Sequence, residues 1–250
     1  MKGTVFVMNT IKFNHYGTQV VAHRGLSGIE RENTAAAFVA AGNRSYYGIE
    51  TDIWRTADGH FLCCHDGHFK RVGGEEMYVE QSTLEELQSV ILYDKGDGVE
   101  GSKARRDIVA PTLENYVSIC KKYEKIGVLE LKSIFTDEEI AKIIDIIEAQ
   151  DYLDGIVFIA FNYDNLVKVK NLRPNQTVQF LTKEVSDELI EKLAEVGMDA
   201  DIYHPSLTEE RIKAFHAKGV KLNCWTVDDP ARAEELASFG VDYITSNILE

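Results

Sequence analysis

Short apolar runs with strand character alternate with amphipathic helical patterns from one end of the chain to the other, and this repeat limits the fold more than any other feature. The strand-like runs are "TQVVAHRG" (18–25), "GIETDIW" (48–54), "IGVLELK" (126–132), "GIVFIAF" (155–161), "TVQFLT" (177–182), "DADIYH" (199–204), "VKLNCWTV" (220–227) and "DYITSN" (242–247). Helical patterns lie between them at 33–44, 112–124, 137–150, 164–171, 186–197, 207–219 and 230–240. The first has Asn33 or Thr34 available as its cap, and the third leads with acids, as a helix dipole prefers. Eight strands separated by helices in 250 residues predict a (β/α)8 TIM barrel, with a doubly wound open sheet as the alternative. No linker divides the chain, so residues 1–250 read as a single domain. The alternation breaks only after the second strand, at about 67–107, where "GGEE", "DKGDG" and "EGSKARRD" surround one helix-like piece, "STLEELQSVI". That stretch reads as an insertion, irregular and either functional or mobile.

In such a barrel the chemistry sits at the carboxyl ends of the strands, so polar groups ending apolar strands are the ones to collect. Glu50 and Asp52 stand two apart in the second strand and share a face. Glu130 and Lys132 repeat the spacing in the third, His23 and Arg24 end the first, and His65 with Asp66 follows "FLCC". Taken singly, each has a bland reading: a strand-end histidine held structurally, or a rim ion pair. Together, Glu50, Asp52 and Glu130 would bring three negative charges into one mouth, which repulsion opposes unless a cation intervenes. Their hard oxygens suit one divalent ion, Mg2+ or Ca2+, with Mn2+ also acceptable. Zinc through Cys63 and Cys64 is the weaker reading, since adjacent strand residues point to opposite faces. His60 and His68 are expected at the solvent. Arg24 and Lys132 beside the ion suit a phosphate group, and His23 and His65 can exchange protons near neutral pH. This is the equipment of a phosphodiesterase, with no "GxSxG" nucleophile.

Charge and cysteine content narrow the partners. With 41 acidic against 27 basic residues the net charge is -14, which disfavours nucleic acid and anionic membranes. The "KARR" run (103–106) is short, lacks aromatics and reads as a solvated loop. No run of roughly 18 apolar residues exists, so stable membrane insertion is not expected. The amino-terminal run makes a poor signal peptide, and the four cysteines, lacking a CxxC pair, are expected reduced and buried. A cytoplasmic location is the default, and oligomeric state is open.

The ordered set "HRG" (23–25), "ENT" (32–34), "ETD" (50–52), "HD" (65–66), "PTLEN" (111–115), "LELK" (129–132) and "WTVDDP" (225–230) resembles the glycerophosphodiester phosphodiesterase family. The resemblance implies a (β/α)8 barrel with a small insertion after the second strand. It also implies hydrolysis of glycerophosphodiesters to glycerol 3-phosphate and an alcohol. Carried over residue by residue, Glu50, Asp52 and Glu130 are metal ligands, His23 the acid, His65 the base, and Arg24 and Lys132 the phosphate-binding groups. Trp225 walls the glycerol pocket or simply ends its strand in the core. Attack by the neighbouring glycerol hydroxyl, through a cyclic phosphate, is likewise implied by the resemblance. A related enzyme acting on lysophospholipids or another diester, or a silent phosphate-binding barrel, is the alternative.

Three departures stand out. Arg31 replaces the proline usual before "ENT" and is expected to loosen the loop above the site. Ala160 replaces a serine after the fourth strand, removing a hydrogen bond from the mouth. The family's usual final helix has no counterpart after Asn247, and "TVFVMNTIKF" (4–13) is the candidate to cover part of that gap.

Overall fold

The computed structural model describes residues 9–94 and 102–250. Nine strands form one sheet: β1 (Gln19–Ala22), β2 (Gly48–Arg55), β3 (Phe61–Cys63), β4 (Ile126–Leu131), β5 (Ile156–Ala160), β6 (Val178–Thr182), β7 (Asp199–Tyr203), β8 (Leu222–Trp225) and β9 (Tyr243–Ser246). Eight of them are parallel and close into a ring, because β1 pairs with β2 on one side and with β9 on the other. This is the expected (β/α)8 barrel. The ninth, β3, is an antiparallel addition beside the end of β2.

The helices are α1 (Ala35–Gly42), α2 (Lys70–Gly73), α3 (Leu84–Gln88), α4 (Leu113–Lys122), α5 (Asp137–Glu148), α6 (Tyr163–Leu172), α7 (Asp187–Val196), α8 (Glu209–Ala217) and α9 (Pro230–Ser238). In α5 the spacing of Ile140, Ile143, Ile144 and Ile147 builds one apolar stripe that the barrel buries. Thr136 and Glu139 close a capping box at its start. Thr34, not Asn33, caps α1, which leaves the asparagine free for another task.

Strand alternation sorts the core into layers. Ile49, Ile53, Leu129 and Leu131 face outward into the main cluster beneath the helices, so Glu50, Asp52, Val128 and Glu130 face inward. Val21, Val128, Ile159 and Leu181 form a small apolar plug inside the ring. Ala160 is fully buried in the outer cluster. Its side chain therefore points away from the mouth, and the expected loss of a hydrogen bond there does not arise.

The described part of the stretch at about 67–107 is largely irregular, as expected, and α3 lies within the helix-like piece read at 82–91. It also contains α2 and a 3-10 turn at Val79–Gln81, too short to show a period in the sequence, and it is gathered on a second cluster that includes Leu62, Phe69, Val79, Leu87, Val90 and Ile108. Arg31 ties this segment to the barrel: its guanidinium donates to the carbonyls of Tyr93 and Asp94, so the loop is pinned rather than loosened. Arg105 and Lys103 of "KARR" pair with acids, Arg105 with Glu30 and Asp107 and Lys103 with Glu75. The insertion and the amino-terminal run both extend into residues outside the described ones, 95–101 and 1–8 respectively.

After β9 the chain pairs with residues near the start of the described region. Ile11 bridges Leu249 in parallel, Ile11 N donates to the Ile248 carbonyl and Glu250 N to that of Ile11. Leu249 is fully buried in the main cluster and Phe13 packs against it. The described part of the amino-terminal run thus covers the wall beside β9.

Candidate active site

Register brings the acids together. The parallel pairing of β2 with β4 sets Asp52 opposite Glu130, while Glu50 lies one inward position deeper on β2. After β1 the chain turns through two left-handed residues, Arg24 (φ 54°) and Gly25 (φ 75°). The turn aims the Arg24 N–H at Glu50 Oε2, 2.7 Å away. A Cβ on Gly25 would sit 2.7 Å from the Ala37 backbone, so glycine permits both the torsion and the contact with α1. Asn33, also left-handed (φ 51°), donates from Nδ2 to Asp52 Oδ2 at 2.8 Å and accepts from Thr51 Oγ1 at 2.7 Å.

Glu50, Asp52 and Glu130 are buried, and one oxygen from each lies within 4.8 Å of the others. Burial and then Asp52 push Glu50 well above the carboxylate range. Burial and Asp52 likewise push Glu130 up to about 8, against the pull of Lys132. Burial would raise Asp52 too, but Arg24 and Lys132 hold it low. Lys132 Nζ stands 3.0 Å from Glu130 Oε1 and 3.5 Å from Asp52 Oδ1, and Asp52 Oδ1 is buried without a hydrogen bond. Three buried acids, two of them short of compensating charge and one with an unpartnered oxygen, fit a divalent cation with a preference for hard oxygen ligands.

Both histidines are held through Nδ1, leaving Nε2 for other contacts. His23 Nδ1 lies 2.8 Å from Asn247 Oδ1, with its Nε2 4.0 Å from Glu50 Oε2. Burial and then Arg24 push the imidazole down to about 4, against Asn247 and Asp52. His65 Nδ1 lies 2.8 Å from Asp66 Oδ1. Burial lowers His65 as well, opposed by Asp52 and by the Asp66 hydrogen bond. The carboxylate behind His65 makes it the stronger proton acceptor of the two.

Arg71 of α2 donates to Asp66 Oδ2 at 2.8 Å and grips both oxygens of Glu32 at 2.7 and 2.8 Å. Glu32 in turn accepts from Arg24 NH1 at 2.8 Å, and although burial would raise it, Arg71 and Arg24 hold it at about 2. Arg24 Nε is buried, makes no hydrogen bond and stands 3.6 Å from Asp52 Oδ2.

His23, Arg24, Glu50, His65, Glu130, Lys132 and Trp225 line one cleft that opens to solvent. Asp52 sits beneath them in the acid cluster. Ile159, Leu181, Phe161 and Trp225 make the facing wall apolar, with the Phe161 and Trp225 rings edge to face at 5.6 Å. Trp225 lines the mouth and ends β8, half-buried rather than in the core, and its Nε1 donates to the Asp201 carbonyl. Cys63 and Cys64 fall in different clusters, and burial raises both thiols. All four cysteines are unpaired and buried. His60 is exposed, and the half-buried His68 meets the Tyr78 ring edge to face.

Glu32, Asn33 and Asp228 lie in the motifs "ENT" and "WTVDDP" but receive no site role from the sequence, and Arg71 and Asn247 are not singled out there. Asn247 was within reach, since it too is a polar residue ending an apolar strand. Arg71 carries no local signal, because its partners are 5 and 39 residues away.

A sequence model described as the glycerophosphoryl diester phosphodiesterase family matches residues 23–249. The chain belongs to that family. A curated glycerophosphodiester phosphodiesterase from Caldanaerobacter subterraneus subsp. tengcongensis is 30% identical over 238 residues, covering 92% of this chain and 94% of that one. An Oleispira antarctica phosphodiesterase solved in complex with the product sn-glycerol-3-phosphate superposes with a TM-score of 0.83 at 25% identity, covering 95% of this chain and 96% of that one. A glycerophosphodiester phosphodiesterase from Parabacteroides distasonis gives 0.77 at 27% identity, covering 92% and 93%. Membership in the glycerophosphoryl diester phosphodiesterase family makes the chain an enzyme, a hydrolase of phosphoric diesters.

Proposed function

We propose that the protein hydrolyses glycerophosphodiesters to glycerol 3-phosphate and an alcohol, depends on one divalent cation, and uses His23 and His65 as its proton carriers. The observation that carries this reading is the two imidazoles in one cleft, each anchored through Nδ1 beside a buried cluster of three acids and two cations. Glu50, Asp52 and Glu130 would hold the ion, which supplies positive charge for the phosphoryl oxygens. Mg2+ and Ca2+ both suit these ligands, and Mn2+ shares their preference for oxygen.

Arg24, with its unpaired Nε–H, and Lys132 bind the phosphate. His65 takes the proton from the neighbouring glycerol hydroxyl as that oxygen bonds to phosphorus, and His23 protonates the alkoxide as its P–O bond breaks. Water then opens the resulting cyclic phosphate with the two roles exchanged. A neutral amide behind His23 and a carboxylate behind His65 support this division, because the weaker base yields the better acid. In the free protein burial and Arg24 keep His23 neutral, and the anionic diester favours its protonation on binding.

The substrate is a small molecule, and no helix among the described residues is long and apolar enough to cross a membrane. Residues 1–250 act as a single catalytic domain with the segment at about 67–107 as its inserted part. The unpaired, buried cysteines support a cytoplasmic location. The test is a panel of glycerophosphocholine, glycerophosphoethanolamine, glycerophosphoglycerol and lysophospholipids, each assayed with Mg2+, Ca2+, Mn2+ and chelator. Metal-dependent release of glycerol 3-phosphate is expected. Full activity in chelator contradicts the metal, and no turnover of any diester contradicts the reading as a whole.

A further inference from the structure

Asp228 has no role in the chemistry above, yet it collects three hydrogen bonds at the edge of the site. Its Oδ1 accepts from Ser246 Oγ at 2.9 Å and from Asn247 N at 2.8 Å, and its Oδ2 accepts from Asn247 Nδ2 at 2.6 Å. A carboxylate can only accept, so the end of the Asn247 amide that faces it must be the NH2. The other end is then the carbonyl, and Oδ1 receives His23 Nδ1 at 2.8 Å and Ser27 Oγ at 2.6 Å. A carbonyl oxygen also only accepts, so His23 must carry its proton on Nδ1. Nε2 is left as the nitrogen that gains and loses a proton inside the cleft.

We propose that Asp228 and Asn247 are positioning residues that fix the tautomer and ring orientation of His23 through the relay Asp228, Asn247, His23. The inference rests on the reading of His23 as a proton carrier. The relay works by orientation. Asp228 sets the amide, the amide sets the imidazole, and the chain of contacts holds only while donors meet acceptors at both joints. The anchoring main chain is pinned as well, since Gly28 N donates to the Asn247 carbonyl at 2.7 Å and His23 N to that of Ser246 at 2.8 Å.

The substitution Asp228→Asn tests the logic, because it keeps the size and reverses one joint. With its oxygen retained toward Ser246 and Asn247 N, the new NH2 faces the NH2 of Asn247. The conflict is relieved by rotating the Asn247 amide, which then offers His23 a donor and moves the imidazole proton to Nε2. The double variant Asp228→Asn, Asn247→Asp restores complementarity, with the new carboxylate accepting from both neighbours.

The experiment is 15N NMR of histidine-labelled protein at pH 7.5 without substrate, with the His23 resonance identified by its loss in His23→Gln. It is joined to kcat and KM for glycerophosphocholine in the presence of Mg2+ or Ca2+. The wild type is expected as the Nδ1–H tautomer. Asp228→Asn is expected to switch to Nε2–H and to lose on the order of 10- to 100-fold in kcat with KM within about 3-fold, the usual scale for removing an orienting partner. The double variant is expected to return to Nδ1–H and to regain about 3-fold or more of the lost kcat, short of wild type because the carboxylate now behind His23 makes it the weaker acid. An unchanged tautomer in Asp228→Asn, or failure of the double variant to return to Nδ1–H, overturns the relay. The tautomer is read without turnover, so a wild type that hydrolyses no diester would refute the proposed function while the NMR result still decides the relay.

Discussion

Glu130 and His23 are pushed off their ordinary titrations in opposite senses, and the two can be separated by pH. The folded protein holds the Glu130 proton more tightly than the unfolded chain does, raising its value from 4.5 to about 8. Its contribution to stability is therefore complete below pH 4.5 and is lost as pH rises toward 8. His23, lowered from 6.5 to about 4, costs stability only below pH 6.5. In chelator, then, the melting temperature between pH 6.5 and 8 should fall, with a slope that Glu130→Gln reduces by about half or more and that saturating Mg2+ or Ca2+ flattens. Equal slopes in wild type and variant would show that Glu130 is not the group responsible. For the proton carriers, His23→Ala and His65→Ala should each lower kcat by about 10²-fold or more while metal affinity stays nearly constant. A nitrophenyl diester, whose leaving group needs little protonation, should rescue His23→Ala and not His65→Ala. Equal rescue of both contradicts the division of roles, and loss of bound metal in either makes that histidine a ligand instead.

Among the elements, α2 has an influence out of proportion to its four residues. Its Arg71 is the joint between Glu32, which holds Arg24, and Asp66, which holds His65. Arg71→Ala removes three charge-assisted hydrogen bonds from a half-exposed side chain, so kcat/KM should fall on the order of 10- to 100-fold while the melting temperature moves by less than about 4 °C. Unchanged kcat/KM would show that both partners hold their positions alone. This is also the part of the molecule least legible in sequence. The eight ring strands and the long helices announce themselves because each repeats a period against one continuous core, as the isoleucines of α5 do. The three residues of β3 and the short turns of the insertion are too brief to show a period. Within the site, Glu50, Asp52, Glu130 and Lys132 were readable from two-residue spacing on apolar strands. The contacts of Arg71, Asn33 and Asp228 depend on how distant loops meet, and no local pattern records that.

At the scale of the whole molecule, Glu250 joins regions far apart in sequence. Its carboxylate accepts from Ser45 N at 2.8 Å, Ser45 Oγ at 2.6 Å and Thr10 Oγ1 at 2.5 Å, with Lys12 Nζ 3.1 Å away. Burial would raise it, but Ser45, Thr10 and Lys12 hold it at about 2. Its stabilising effect is thus present above pH 4.5 and lost as pH falls toward 2. Glu250→Ala should cost about 1–3 kcal/mol at pH 7, visible in urea unfolding, and leave kcat within about 2-fold because the contacts lie away from the cleft. A variant as stable as wild type would show that the Ile11 and Leu249 pairing holds this wall unaided.

Closure of the ring also orders events in time. Gln19–Ala22 of β1 finds one of its two partner strands in Tyr243–Ser246 of β9, more than 220 residues later, so on the ribosome the first strand waits for β9 to be made. Until then one side of β1 is an open edge able to accept a strand from another molecule. The seam between β1 and β9 has the longest loop to close of any strand pairing in the ring, so it is expected to form last and to leave the nascent chain open to aggregation until it does.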